Sequence, residues 1–372
     1  MVAARRASSI SEILPEHWDA LSGGKNPLLR HAFHSALEES GSVGGLAGWN
    51  PRYWTVGAQA PEAGLFAYEK THSYGEYIFD WDWASAYESQ GVPYYPKLTS
   101  MIPVTPATTP HIAMSDFKEK TADTLLNAFE EHYESGEYSS AHFLFITDRE
   151  AEFFKARGYI LRESFQYHFK NRGYADFGTF LDTLKSRKAK QIRKERRFPP
   201  DFRFEDLTGS ALRPEHADEM YSFYRTTLGK KHGIPYLKKD FFTRLFNTMA
   251  DNVLYVRACA DARAVAGALY FYDDKRLYGR YWGAIAEYPC LHFELCFYRG
   301  IEFAINNKLE VFEAGAQGEH KIPRGFEPVK TYSAHKIKHP NFRTGIERYV
   351  EGEKRFIARA IAELKTRLPY VI

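Results

Sequence analysis

The stretch from Glu313 to Ile337, EAGAQGEHKIPRGFEPVKTYSAHKI, gathers glycines, carboxylates, histidines and cations just beyond an apolar run. These types serve general acid/base chemistry and the holding of anions. Glu319 or His320 can take a proton from a nucleophile, Lys321 can meet an oxyanion or a phosphate, and Arg324 can hold a phosphate with its planar fork. The Gly-rich loop from Gly315 through Gln317 to Gly318 can turn backbone N–H groups toward an anion. The chain has neither a G-x-S-x-G elbow nor a convincing Cys/His pair, so direct attack without a covalent relay is the simpler mechanism.

The elements that must position these residues are legible from two internal matches. Leu65 to Tyr77 lies ungapped over Leu269 to Tyr281, and each copy reads as an aromatic-rich β-hairpin. His142 to His168 lies ungapped over Leu309 to His335, and each copy reads strand, loop, short helix, Arg-Gly-aromatic, strand. The apolar spacing of Asp116 to Tyr133 and of Leu291 to Asn307 predicts a helix within each half. A tandem of two mixed α/β domains follows. The halves differ by a Pro-rich insertion near 84–112 in the first, read as an extended excursion at a sheet edge or on the surface.

The second match also supplies an internal control. Glu152 falls on Glu319, but Phe153 and Phe154 fall on His320 and Lys321, while Asp148 and Ala151 fall on Gly315 and Gly318. The second copy has exchanged a packing helix for ionisable groups and glycines. His168 and His335 share a strand position, which favours a structural role for both, with substrate contact the other role for His335. His292 and Glu294 look like a fragment of a metal site without a third ligand, so helix entry or substrate contact suits them better. Trp282, on the second hairpin, is core or a wall of the acceptor groove.

The chain of 372 residues is long enough for two cores, and 50 Lys and Arg against 47 Asp and Glu leave a net charge of only +3. A protein that coats nucleic acid along its whole surface is therefore excluded, and any anionic partner must be met locally. One place to meet it is LKSRKAKQIRKERRF, a predicted helix whose cations include Arg193 and Arg197 and whose one acid is Glu195. Three irregularly spaced cysteines suit a reducing compartment, and neither a signal peptide nor a membrane span is legible, so a cytoplasmic protein is expected.

LEESGSVGG, YGEYIFDWDWASAYESQGVPYYPKL, GYADFGTFLDTLKSRKAKQIRKERR, LHFELCFYRGIEFA and EAGAQGEHKIPRGFEPVKTYSAH together resemble the FemAB-like group of N-acyltransferases, and the element order resembles a tandem of GNAT acyltransferase domains. The resemblance implies a degenerate GNAT-like domain over 1–172 and a second over 173–372 that carries the active site. It also implies transfer of an acyl or aminoacyl group to an amine of a phosphate-bearing acceptor, such as a peptidoglycan precursor. No tightly bound cofactor is expected. The donor, acyl-CoA or aminoacyl-tRNA, is a co-substrate, which makes tRNA a candidate partner. Two other readings stand beside it: acyl-CoA-dependent transfer to a small amine, and a non-catalytic RNA- or nucleotide-binding module.

Overall fold

Both halves of the computed structural model, which describes residues 4–230, 235–316 and 318–371, are built on strands rich in aromatic and β-branched residues. The strands are β1 (Arg5–Ala7), β2 (Trp49–Val56), β3 (Ala63–Lys70), β4 (Lys97–Ser100), β5 (Ile112–Ala113), β6 (Ser140–Ile146) and β7 (Ile160–Lys170). They continue with β8 (Arg203–Leu207), β9 (Val253–Ala260), β10 (Arg263–Tyr272), β11 (Arg276–Ala284), β12 (Val311–Glu313) and β13 (Glu327–Ile337). The chain divides into a first unit, Met1–Ser164 with Lys330–Arg359, and a second, Phe165–Val329 with Ala360–Ile372. No helix among the described residues is long and apolar enough to cross a membrane.

In the first unit β1, β2, β3 and β4 pair antiparallel in that order and β4 runs parallel to β6. In the second, β8, β9, β10 and β11 pair antiparallel and β11 runs parallel to β12. Strand order and direction thus repeat. The helix Glu119–Ser135 covers the first sheet through Leu125, Leu126, Phe129 and Tyr133, whose three-to-four spacing gives one apolar face. Leu291–Asn306 does the same in the second unit through Leu295, Tyr298, Ile301 and Ile305.

The match between His142–His168 and Leu309–His335 holds at its strands. β7 and β13 each span 11 residues in the predicted register, and Gly158 and Gly325 both enter them with left-handed backbone, at φ 77° and 91°. Their pairing is reciprocal. The end of β7 lies against β12, in the second unit, and the end of β13 lies against β6, in the first. The division therefore is not a single cut at 172, because each copy contributes the last strand of the other.

Three expectations change. The segment Asp148–Ala156 is a helix, nucleated by a capping box of Thr147 and Glu150, but its counterpart is a 3₁₀ turn, Glu319–Arg324, because Ala314 replaces the capping threonine and Pro323 interrupts the helix. The hairpin of the first copy lacks its second strand: Tyr74 is exposed in a turn, whereas Tyr278 is buried on β11. The counterpart of β11 is β4, which comes from the Pro-rich insertion. It runs between β3 and β6 with all four residues buried, so the insertion is neither edge nor surface there.

Candidate active site

A pocket of about 500 Å³ opens in the second unit between the end of β11, the helix Pro214–Lys230 and the first turn of Leu291–Asn306. Thr226, Thr227, Trp282, Ala284, Leu291 and His292 are among its walls. Gly283 lets the helix approach: a Cβ there would stand 1.7 Å from the carbonyl oxygen of Phe223. The Thr227 hydroxyl then donates to the Trp282 carbonyl oxygen at 2.6 Å. On the far wall Cys290 takes a left-handed backbone, φ 62°, just before the helix that carries His292. The His292 ring stands edge-on to the Trp282 indole, 4.7 Å between centroids.

That helix is not regular. Glu294–Tyr298 form a π turn, a distortion common at functional sites. The Tyr270 hydroxyl donates to the carbonyl of Leu295, one of the groups that such a turn loosens. Glu294 faces the opposite way from a metal role, gripped by Arg196 at 2.9 and 3.0 Å, and no cluster of metal-binding side chains occurs among the described residues.

The 3₁₀ turn presents its side chains in different directions. His320 packs its ring toward His292 (6.0 Å), Phe293 (5.9 Å) and Phe297 (5.5 Å), and so reaches the residue that lines the pocket. Burial, with Lys321 and Arg324 nearby, holds its imidazole below the ordinary range. Lys321 is buried and donates to the Gly315 carbonyl at 2.9 Å, and burial pushes its ammonium down to about 7. At that point the glycine loop offers an oxygen rather than an N–H. Glu319 points outward, 60% exposed, to an ion pair with Arg367 at 2.7 Å. Gly318 adopts φ 113° and leaves no room for a Cβ beside the His320 ring, while Gln317 lies outside the described residues.

Arg324 is buried with its donors engaged. It meets the Glu195 carboxylate at 2.8 and 2.9 Å, the Tyr298 hydroxyl at 2.9 Å and the His320 carbonyl at 2.6 Å, and it stacks 3.5 Å over Phe293. This fork is a brace and not a free phosphate clamp. Glu195 belongs to the basic helix, Ser186–Glu195, which is thereby tied to the turn that carries His320. Arg193 is exposed on that helix, which ends at Glu195, so Arg197 is exposed beyond it rather than on it as the sequence predicted, and Trp282 is in the pocket wall.

His335 lies elsewhere, buried in the first unit, with its Nδ1 at 2.6 Å from that of His142 and its Nε2 at 2.8 Å from the Ser333 hydroxyl. His168, its counterpart, is buried in the second unit 3.8 Å from Glu313. Beside His142 is a group that the sequence reading missed. Lys97 is fully buried and donates to Ser73 (2.8 Å), Glu76 (2.8 Å) and Asp80 (2.5 Å), with Lys70 3.9 Å from Glu76 and 3.4 Å above the Trp49 ring. The available signal was the acid pair of SYGEYIFDWDW upstream of a lysine in an otherwise apolar stretch.

The two units, with matching strand order and a helix over each sheet, define a tandem GNAT-like fold. The chain matches the model of the FemAB-like family, described as peptidoglycan biosynthesis/recognition, over residues 9–371, and belongs to that family. Among solved structures it is similar to FemX, with 10% identity over 92% of this chain and 100% of the other and a TM-score of 0.56. It is also similar to a lysylphosphatidylglycerol synthetase (L-PGS) of Bacillus licheniformis, with 12% identity over 85% and 94% of the two chains and a TM-score of 0.52. A C-terminal domain of a putative lysylphosphatidylglycerol synthetase from Agrobacterium fabrum gives 12% identity over 92% and 97%, with a TM-score of 0.54. No curated protein sequence matches the chain.

Proposed function

We propose that the second unit transfers an acyl or aminoacyl group to the amine of a phosphate-bearing acceptor by direct attack, with the donor as a co-substrate. The observation that carries this reading is the pair of imidazoles formed by His292, at the wall of a mostly apolar pocket, and His320, whose ring packs 6.0 Å from it. Membership of a family described by peptidoglycan biosynthesis or recognition supports the acceptor class, and the names FemX and lysylphosphatidylglycerol synthetase support the reaction class.

An amine attacks only when neutral, and the tetrahedral intermediate must shed a proton. A His320 held below its usual range is unprotonated near pH 7 and ready to accept that proton, directly or through His292. Glu319 points to solvent and is paired with Arg367, away from these imidazoles. The pocket excludes water from the acyl group on its apolar side. Lys321 fixes the loop at Gly315, and when protonated it is a cation close to His320 that can meet developing negative charge.

The test is a donor and acceptor screen with labelled acyl-CoAs, charged tRNAs and phosphorylated cell-wall precursors, followed by His320→Gln and Glu319→Gln. His320→Gln is expected to lower turnover about 10²-fold with the fold intact, and Glu319→Gln to change it little. Equal turnover in His320→Gln and the wild type would remove the proton-accepting role.

A further inference from the structure

We propose that one face of the first unit, running from the turn at Leu46 to the helix Pro340–Thr366, is a docking surface for an anionic lipid bilayer. Six of the nine large apolar side chains exposed among the described residues belong to it: Leu46, Tyr74, Phe79, Trp81, Tyr349 and Phe356. Single exposed apolar residues are ordinary on a protein surface, but these are linked by a chain of contacts. The carbonyl oxygen of Ala47, next to Leu46, is 3.1 Å from His72 Nε2, and the His72 ring is 5.4 Å from that of Tyr74. Trp81 packs against Tyr74 at 5.1 Å and stacks with Phe79 at 6.1 Å. Arg162 donates to the Phe79 carbonyl at 2.8 Å and lies 5.9 Å from the Tyr349 ring. Phe356 follows Tyr349 by two helical turns on the same side of the helix.

This helix orders its outward side in rows. At about 100° per residue, Ile346, Val350 and Ile357 face the core, Tyr349 and Phe356 lie about 90° round from them, and Arg348, Arg355 and Arg359 lie about 180° round. Between the aromatic and arginine rows are Gly345 and Gly352, where a Cβ would meet nothing within 4 Å. Packing requires neither glycine, and each costs the helix about 1 kcal/mol against alanine. Their position leaves no ridge between the rows, so both rows can touch one flat surface. The arc from the arginines to the aromatics holds no acid, and among the described residues none of the three arginines meets a carboxylate.

Aromatic rings beside a basic row suit the bilayer interface, where Trp and Tyr rest at headgroup depth and arginines meet lipid phosphates. Leu46, fully exposed in the turn Gly45–Ala47, is the one aliphatic side chain of the face and is placed to enter the acyl boundary. A second copy of the chain is the poorer occupant. An antiparallel pairing of this helix about a two-fold axis brings each row against itself, so arginines would face arginines. The face belongs to the first unit and the candidate active site to the second, and docking is a binding event that needs no turnover, so the proposal stands apart from the transferase reading.

The experiment sediments the full chain with large unilamellar vesicles of phosphatidylcholine, alone or with one-third phosphatidylglycerol, across salt and without donor or acceptor. Binding to the anionic vesicles that weakens with salt, and little binding to the neutral ones, is expected. Leu46→Ser/Phe356→Ser should weaken it more than tenfold, and Arg348→Gln/Arg355→Gln/Arg359→Gln about 10²-fold. The control Lys190→Gln/Arg193→Gln/Arg197→Gln, which removes cations elsewhere, should bind as the wild type does. Circular dichroism checks each fold. Trp81 gives a readout that misfolding does not mimic: brominated lipids should quench its fluorescence, and Trp81→Phe should bind with that quenching lost. Binding to neither vesicle, wild-type binding in both face variants, or equal weakening by the control overturns the proposal. So does binding that leaves Trp81 unquenched, or a dimer in light scattering that Leu46→Ser/Phe356→Ser dissociates.

Discussion

Replacing Arg324 with Met tests whether this arginine is a brace or a phosphate clamp, and the duplication supplies its control. Arg157 occupies the equivalent position and likewise stacks on a ring, Phe153, at 3.5 Å. Its partners differ in one respect: Asp123 and Glu119 are 43% and 72% exposed, whereas the Glu195 side chain that faces Arg324 is 11% exposed. Removing Arg157 frees carboxylates that water can solvate, at a cost below about 1 kcal/mol for the ion pairs. Removing Arg324 takes the counter-charge from a carboxylate that water barely reaches, leaving it the neutral donors Tyr298 and Gln191, at a cost of about 3–5 kcal/mol. The lost ring contact, about 0.5–2 kcal/mol, enters both variants and cancels in the comparison. With a urea m-value of about 1–3 kcal/mol/M, the Arg324→Met midpoint should fall below that of Arg157→Met by roughly 1 M or more. Far-UV circular dichroism in urea reads this directly. A midpoint equal to that of Arg157→Met, with a raised substrate requirement, would refute the brace and restore the clamp.

Gly283→Ala drives a methyl into the Phe223 carbonyl, a backbone atom that no rotamer change can move. It should cost at least about 3 kcal/mol and displace Thr226 and Thr227 from the pocket wall, read as a fall in melting temperature together with lost donor binding. Glu76 gives a pH test. Burial outweighs the pull of Lys97 and lifts its carboxyl from 4.5 to about 7 in the folded protein. An acid held more tightly by the folded state stabilises it below 4.5, and that contribution is lost as pH rises through 7. Urea midpoints should therefore fall between pH 5 and pH 8 and the slope should flatten in Glu76→Gln; an unchanged slope would locate the titration elsewhere.

The match between β7 and β13 was legible to the residue because both strands keep the alternation and the glycine that enters them, features that depend only on local backbone. The pairing of those strands was not legible, since either could lie against β6 or β12 without altering its pattern. β4 was misread for a related reason. Prolines and Lys97 mark a surface segment by composition, and only Ser73, Glu76 and Asp80, placed by a turn that the sequence suggested was a strand, make its burial tolerable. In the candidate site the ionisable stretch was visible, but direction was not: a six-residue 3₁₀ turn sends Glu319 to solvent, Arg324 inward and His320 against His292. The pocket walls come from Thr226 and Thr227 on one helix, Trp282 and Ala284 on β11, and the stretch from Ala286 to His292, which share no motif.

The reciprocal strand exchange also sets the order in which the protein can be completed on the ribosome. β6 has neighbours on one side once β4 has formed, but its other edge waits for β13, which ends at Ile337. At 5–20 residues per second that wait lasts roughly 10–40 s after β6 emerges. Throughout it, a strand buried at every position in the finished protein presents an open edge. The first half of the chain is thus made first but completed only late in synthesis, and a nascent chain arrested between β7 and β13 is the form most exposed to aggregation.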